Sequence, residues 1–149
     1  MPSIQGIHNG KAVIVTIAII DAAKYKEHKE AGAPIIKGVQ PLRALVDTGA
    51  TSSMIATRVV TQLGLQQVTK RQYACLGGVI WRPAYLFHVA FYEETPGQIE
   101  TPSKIHTYRK AIIGGELSDE PSFDVLLGMD ILATGDLHVG KDGTFSFSF

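Results

Sequence analysis

The stretch from Ala44 to Ile55, Ala-Leu-Val-Asp-Thr-Gly-Ala-Thr-Ser-Ser-Met-Ile, constrains this chain more than any other. Apolar residues run inward as a strand and end on a carboxylate. An ionised carboxylate is costly to bury without partners, so the fold around Asp47 must be arranged to hold it. Thr48 brings a hydroxyl that both donates and accepts. Gly49 lets the backbone turn tightly and lets a second chain or a ligand come close. On chemistry alone, Asp47 is a candidate for a carboxylate kept in a special environment for a reaction. The plainer reading is an Asp that ends a strand and caps a turn.

The rest of the chain reads as short strands separated by turns. Ala12 to Ile20 is β-branched and follows an Asn9-Gly10 turn signal, which predicts a buried strand with Ser3 to His8 paired across the turn. Asp21 to Gly32 carries Lys24, Lys26, Glu27, Lys29 and Glu30 without an apolar stripe, and reads as an exposed loop or one helical turn. Pro34 to Leu42 returns inward through Ile35 and Ile36, with Pro41 just before the strand Leu42 to Val46 that delivers Asp47. Ile55, Val59 and Leu63 lie at helical spacing and Gly64 follows as a stop, so a helix is expected from Ala56 to Leu63.

Cys75 to Pro83 has a Gly-Gly tip between apolar arms and reads as a hairpin. Tyr85 to Tyr92 alternates as a strand, Glu93 to Ser103 is a loop, and Ile105 to Ile113 is a further strand. Gly114 to Ser122 reads as a loop before the apolar run Phe123 to Gly128. A short helix follows at Met129 to Ala133, with Asp130 near its start where the helix dipole favours an acid. Gly140 to Gly143 turns between Leu137–Val139 and Thr144–Phe149. Many short strands and two short helices predict an all-β fold, and 149 residues fit a single domain, 1–149.

Fourteen basic and fourteen acidic residues leave no net charge, so nothing draws nucleic acid to the surface. The longest apolar run, Ala12 to Ile20, is interrupted by Thr16 and is too short to span a bilayer; no membrane partner is expected. Cys75 is the only cysteine, which leaves no internal disulfide and suits a reducing, cytoplasmic setting. It reads as a small buried apolar residue, with a redox switch as the sharper alternative. The five histidines have no ligand spacing, so neither a metal nor another cofactor is expected.

Asp47-Thr48-Gly49-Ala50-Thr51-Ser52, entered from an apolar strand, resembles the active-site loop of the aspartic proteases. A second segment, Phe123-Asp124-Val125-Leu126-Leu127-Gly128-Met129-Asp130-Ile131-Leu132, resembles the apolar-apolar-Gly loop and following helix of the retropepsin-like members. Its Leu-Leu-Gly-x-Asp-x-Leu wording is most similar to the DNA-damage-inducible ubiquitin-shuttle proteases and their bacterial relatives. The resemblance spans most of Leu42 to Phe149. It implies a closed all-β barrel with one or two short helices. It implies an aspartic endopeptidase in which Asp47 is catalytic, Thr48, Gly49 and Ala50 form the active-site loop, and Leu126, Leu127 and Gly128 support it. The hairpin at 75–83 would be a flap, with Gly77, Gly78, Val79, Ile80 and Trp81 against a peptide or protein substrate. For Trp81, simple packing in the barrel is the competing reading.

Peptide hydrolysis by this chemistry needs two carboxylates, and the chain has one Asp-Thr-Gly and is too short for two lobes. The resemblance therefore implies a C2 homodimer in which each subunit supplies Asp47. Phe145, Phe147 and Phe149, alternating with Ser146 and Ser148, would form a sticky edge in a monomer and are expected at the dimer interface. Ser52 and Ser53 read as structural hydroxyls. Viral retropepsins pair an acid with an Arg at the positions of Thr51 and Met129, so that ion pair is absent, and Asp130 does not replace the Arg. The segments 21–40 and 93–121 are longer than in minimal viral enzymes. The alternative function is a non-catalytic dimer of the same fold that binds peptides or scaffolds partners.

Overall fold

The architecture is that of a computed structural model, whose described residues are 2–31, 40–93 and 105–149. The first half runs β1 Ser3–Ile7, β2 Ile14–Asp21, α1 Ala22–Ala31, β3 Leu42–Val46, β4 Met54–Ala56, α2 Thr57–Leu63 and β5 Gln67–Cys75. The second half runs β6 Gly78–Tyr92, β7 Ile105–Thr107, β8 Ile112–Leu117, β9 Val125–Leu127, α3 Met129–Leu132, β10 Asp136–Val139 and β11 Thr144–Ser148. The fold is all-β with a few short helices, as the patterning predicts. The inward return through Ile35 and Ile36, and the loop beyond Glu93, lie outside the described residues.

The larger sheet follows the order β2-β3-β9-β4-β8-β6-β5, and β2 also pairs antiparallel with β6. The path of pairing therefore returns to its start through β2 and β6. β6 is the longest strand and spends its length on several neighbours: β5 at its start, β8 and β2 in the middle, and β7 at its end. Phe87, Val89 and Phe91 point from it into the main core, beside Ile17, Ile55, Val59, Leu127 and Ile131. Ala90 and Tyr92 face the other way, into a small cluster with Ala18, Ile20 and the partly buried Tyr25 and Ile105. That second cluster is why this strand is buried on both faces.

The helix at 57–63 ends as expected, on Gly64 in the left-handed conformation (φ 62°) that residues with a Cβ avoid. Several other expectations are corrected. β1 does not pair with β2. The Asn9 carboxamide accepts the Lys11 and Ala12 amides at 2.9 and 2.8 Å, which makes a local turn and not a hairpin. β1 instead pairs antiparallel with β11, Ile4 opposite Phe147. Segment 22–31 is a ten-residue helix, longer than the single turn expected. Asp21 caps it by accepting from Ala23 and Lys24, and Tyr25 stacks on His88 with ring centroids 3.7 Å apart. Tyr25, packed on that ring and on the Ala18, Ile20, Ala90 and Tyr92 cluster, stands in for the apolar stripe that periodicity looks for.

The strand expected over 105–113 is two, β7 and β8, and β8 runs on to Leu117 through residues read as a loop. Gly114 and Gly115 look like turn residues, but here they give room to the Phe87 ring and the Tyr73 phenol lying over the strand.

The C-terminal phenylalanines also find a different partner. β11 is the central strand of a three-stranded sheet, β1-β11-β10, so it has no free edge. Phe145 and Phe147 are buried in the chain's own core, and Phe149 packs against Phe91 and Phe147 at its margin. Ile4 and Leu137 share their face, by register with Phe147. A sticky edge awaiting a second subunit is therefore not what these residues form. Among the described residues, no helix is long and apolar enough to cross a membrane.

Candidate active site

Asp47 follows directly on β3, and β3 lies parallel to β9 with Val46 opposite Leu127. The Asp47 amide extends that ladder by one step, donating to the Leu127 carbonyl at 2.9 Å. The chain then turns: the Gly49 amide donates to Asp47 Oδ1 at 2.9 Å, and the Ala50 amide approaches the Asp47 carbonyl at 3.3 Å. One carboxylate oxygen is thus held by the loop's own backbone, which fixes the side chain's orientation. Asp47 is half-buried, while Thr48 and Gly49 are exposed and Ala50 is half-buried. Among the described residues, the Thr48 hydroxyl makes no hydrogen bond within the chain.

After the loop, β4 comes back antiparallel on the other side of β9, Met54 opposite Leu126. The loop from Asp47 to Ser53 therefore straddles the end of β9, and Leu126, Leu127 and Gly128 sit between its two arms. Gly128 is where contact is closest. A Cβ there would lie 2.7 Å from the Ser52 carbonyl carbon and 2.9 Å from the Ala50 oxygen, both backbone atoms that have little room to move. The Met129 amide donates to the Ala50 carbonyl at 2.8 Å and closes the contact from below.

Two polar features of this region are not evident from local sequence. Ser53, fully buried, bonds to Asp130 through both its amide and its hydroxyl, at 2.9 and 2.7 Å. Asp124 lies nearby under β3 and accepts the Arg43 amide at 2.8 Å and the Arg58 guanidinium at 2.6 Å, with the Arg43 guanidinium at 3.5 Å. Arg58 also donates to the Phe123 carbonyl at 2.6 Å. Burial alone would raise the Asp124 pKa. The bonds from the Arg43 amide and the two guanidinium groups outweigh it, and the carboxyl lies below its ordinary value. This cluster ties α2 to the strands that carry Asp47. The partners are far apart in sequence, so only the clustering of Asp and Arg near the two motifs hinted at it.

The hairpin tip forms at Leu76-Gly77, with Cys75 opposite Gly78, and its arms extend back to Gln67 and Tyr85. Its base is anchored where Arg71 donates to the Ile113 carbonyl at 2.8 Å and Tyr73 lies against Gly115. Cross-strand register puts Ile80 on the same face as Tyr73, and places Val79 and Trp81 on the opposite face beside Ala74 and Gln72. Gly77, Gly78, Val79, Ile80 and Trp81 are all exposed, Trp81 by 64%. Trp81 is thus not packed in the barrel. Cys75 is exposed too, against the buried reading, because it sits at the hairpin end and not in a sheet interior. No hydrogen bond links the hairpin tip to the 47–53 loop among the described residues. Nor, among them, do three His, Cys, Asp or Glu side chains converge as a metal site.

A family model described as aspartyl protease matches residues 34–131, that is 98 of the 149 residues. The chain belongs to the aspartyl protease family. Its fold is retropepsin-like. A crystal structure of a retropepsin-like aspartic protease from Rickettsia conorii matches with a TM-score of 0.58, covering 98% of this chain and 89% of that one. Sequence identity to it is 16%, so the likeness speaks for the fold. A comparison with the curated proteins gives no match. The family model spans both the Asp47 loop and the Leu126–Gly128 segment of this aspartyl protease, the two stretches the structure interlocks.

Proposed function

We propose that this chain is an aspartic endopeptidase, and that two copies related by a C2 axis each contribute Asp47 to one site. The observation that carries this is where the aspartates are. Among the described residues, Asp47 is the aspartate on the loop beside β9; its Oδ1 accepts the Gly49 amide and its Oδ2 has no partner. Asp21 caps α1, Asp119 and Asp124 hold Arg58, Asp130 holds Ser53, and Asp142 closes the last turn on Thr144. Asp136 is exposed on β10, in the other sheet. These placements support a second catalytic carboxylate supplied by another copy.

Two such carboxylates share one proton, because like charges so close do not both ionise. The ionised one takes a proton from water as that water attacks the scissile carbonyl, and the protonated one donates to the carbonyl oxygen. Collapse of the tetrahedral intermediate returns a proton to the leaving amine. The free Thr48 hydroxyl would bond across the axis to the partner loop. Gly49 and Ala50 leave backbone open to an extended peptide or protein substrate. The hairpin at 75–83, with Gly77, Gly78, Val79, Ile80 and Trp81, would fold over it as a flap and exclude water. An exposed lone thiol at Cys75 fits a reducing, cytoplasmic setting.

The deciding experiment incubates the purified protein and Asp47→Asn with a mixed peptide library across about pH 4 to 7. The natural chain should cleave, and the variant should be slower by more than roughly 100-fold. Equal cleavage by the two proteins ends this reading. Peptide binding without cleavage by either would favour a non-catalytic dimer, and sedimentation as a monomer alone would remove the shared site.

A further inference from the structure

The loop that carries Asp47 is fixed to its neighbour through a polar chain that runs from buried Ser53 to half-buried Asp130. The Gly128 amide donates to Ser53 Oγ at 3.0 Å, and the Ser53 hydroxyl donates on to Asp130 Oδ1 at 2.7 Å. The Ser53 amide meanwhile donates to the other oxygen, Asp130 Oδ2, at 2.9 Å. The carboxylate grips one serine through both of its donors while that serine accepts from the strand end. Each bond in such a chain polarises the next.

An acid in the first turn of a helix ordinarily serves that helix. Asp130 gives its own helix one bond, to the Ile131 amide at 3.0 Å, and turns its other two onto the loop. Both Ser53 donors are engaged by these bonds and the residue is 0% exposed, so it has no surface to offer a ligand. What the pair does is set the far end of the Asp47 loop against Gly128. The near end is set by the bond from the Asp47 amide to Leu127, and the middle by the bond from Met129 to Ala50.

We infer that Ser53 and Asp130 are positioning residues for the Asp47 carboxylate. The inference rests on the reading of Asp47 as catalytic. Two carboxylates that must share a proton tolerate little displacement, and a misplacement of about 1 Å costs roughly 100-fold in rate. Substrate contacts on the hairpin are untouched by the pair, so the effect belongs in kcat and not in KM.

The test measures kcat and KM separately, with urea midpoints, for the natural protein, Asp47→Asn, Ser53→Ala, Asp130→Asn and the Ser53→Ala/Asp130→Asn double variant. Each single change should lower kcat by roughly 10- to 100-fold with KM within about twofold. The double variant should lose little more than the worse single one, because both changes break the same chain. If Ser53→Ala does not fold, Asp130→Asn, which keeps the side chain's shape, decides alone. Unchanged kcat in the folded variants, or losses that add, overturn the inference while an inactive Asp47→Asn leaves the catalytic reading standing. A fully active Asp47→Asn overturns both.

Discussion

Replacing Gly128 by Ala adds one methyl group at the point where β9 meets the Asp47 loop. That carbon would stand 2.7 Å from the Ser52 carbonyl carbon, 2.8 Å from its oxygen and 2.9 Å from the Ala50 oxygen. Real Cβ atoms are not found so near, and all three neighbours are backbone, so no side chain can swing aside. Overpacking of this kind costs about 1–3 kcal/mol. Relief requires the loop to lift, which stretches the bonds from Met129 to Ala50 and from Gly128 to Ser53, at 2.8 and 3.0 Å. Losing one or two of them adds about 0.5–1.5 kcal/mol each, for a total of roughly 1.5–6 kcal/mol. Urea unfolding at one fixed protein concentration measures it, since any dimer makes stability depend on concentration. Gly77→Ala is the control: nothing lies within 4 Å of its Cβ, and the midpoint should move by less than about 0.5 kcal/mol. Peptide hydrolysis by Gly128→Ala should fall as well, because the lifted loop carries Asp47. If Gly128→Ala unfolds with Gly77→Ala and keeps full activity, the interlock at β9 is not as described.

Asp124 gives a pH signature. Its pKa lies below the ordinary 3.8 when folded, so its contribution to stability is present above that value and is lost as pH falls through the folded one. Asp124→Asn should therefore cost roughly 1.5–3 kcal/mol at neutral pH, and its stability should fall less steeply than the natural protein's below about pH 4. Parallel acid limbs in pH-dependent urea titrations would contradict this. Trp81, the single tryptophan, stands 64% exposed on the hairpin, so iodide should quench its fluorescence readily. Quenching should weaken when a non-cleavable peptide is bound if the hairpin closes over it; resistance to quenching in the free protein would contradict the exposed placement.

The parts of the fold that sequence made legible are those written in consecutive residues. β3, the turn at Asp47, the helix ending at Gly64 and the Leu126–Gly128 strand each carry their own pattern, and each lies within a residue or two of where it was expected. What stayed hidden depends on residues far apart. α1 has charged residues all round; a cap at Asp21 and the packing of Tyr25 on His88 and on the Ala18, Ile20, Ala90 and Tyr92 cluster help to hold it, and neither makes a stripe. The glycines of β8 resemble a turn until Phe87 and Tyr73 are seen lying across them. Alternation in Thr144–Phe149 correctly shows one apolar face, but cannot say that Ile4 and Leu137 cover it within the same chain. Ser53 and Asp130 are both polar and 77 positions apart, a separation over which no local rule links them.

The pairing of β1 with β11 has a further consequence, for the order of events during synthesis. Ile4 can reach its buried place only once Phe147 exists, and the Phe149 amide closes on the Pro2 carbonyl at 3.0 Å. A chain emerging from the ribosome must therefore hold β1 without this partner until Thr144–Ser148 has been made. Contacts so distant in sequence form slowly. The Asp47 loop and β9 both precede β11, so Asp47 can be braced before the β1-β11-β10 sheet is sealed. A chain stopped after Gly143 should still bring β9 between β3 and β4, and should be detectably open to proteolysis at Ser3–Ile7.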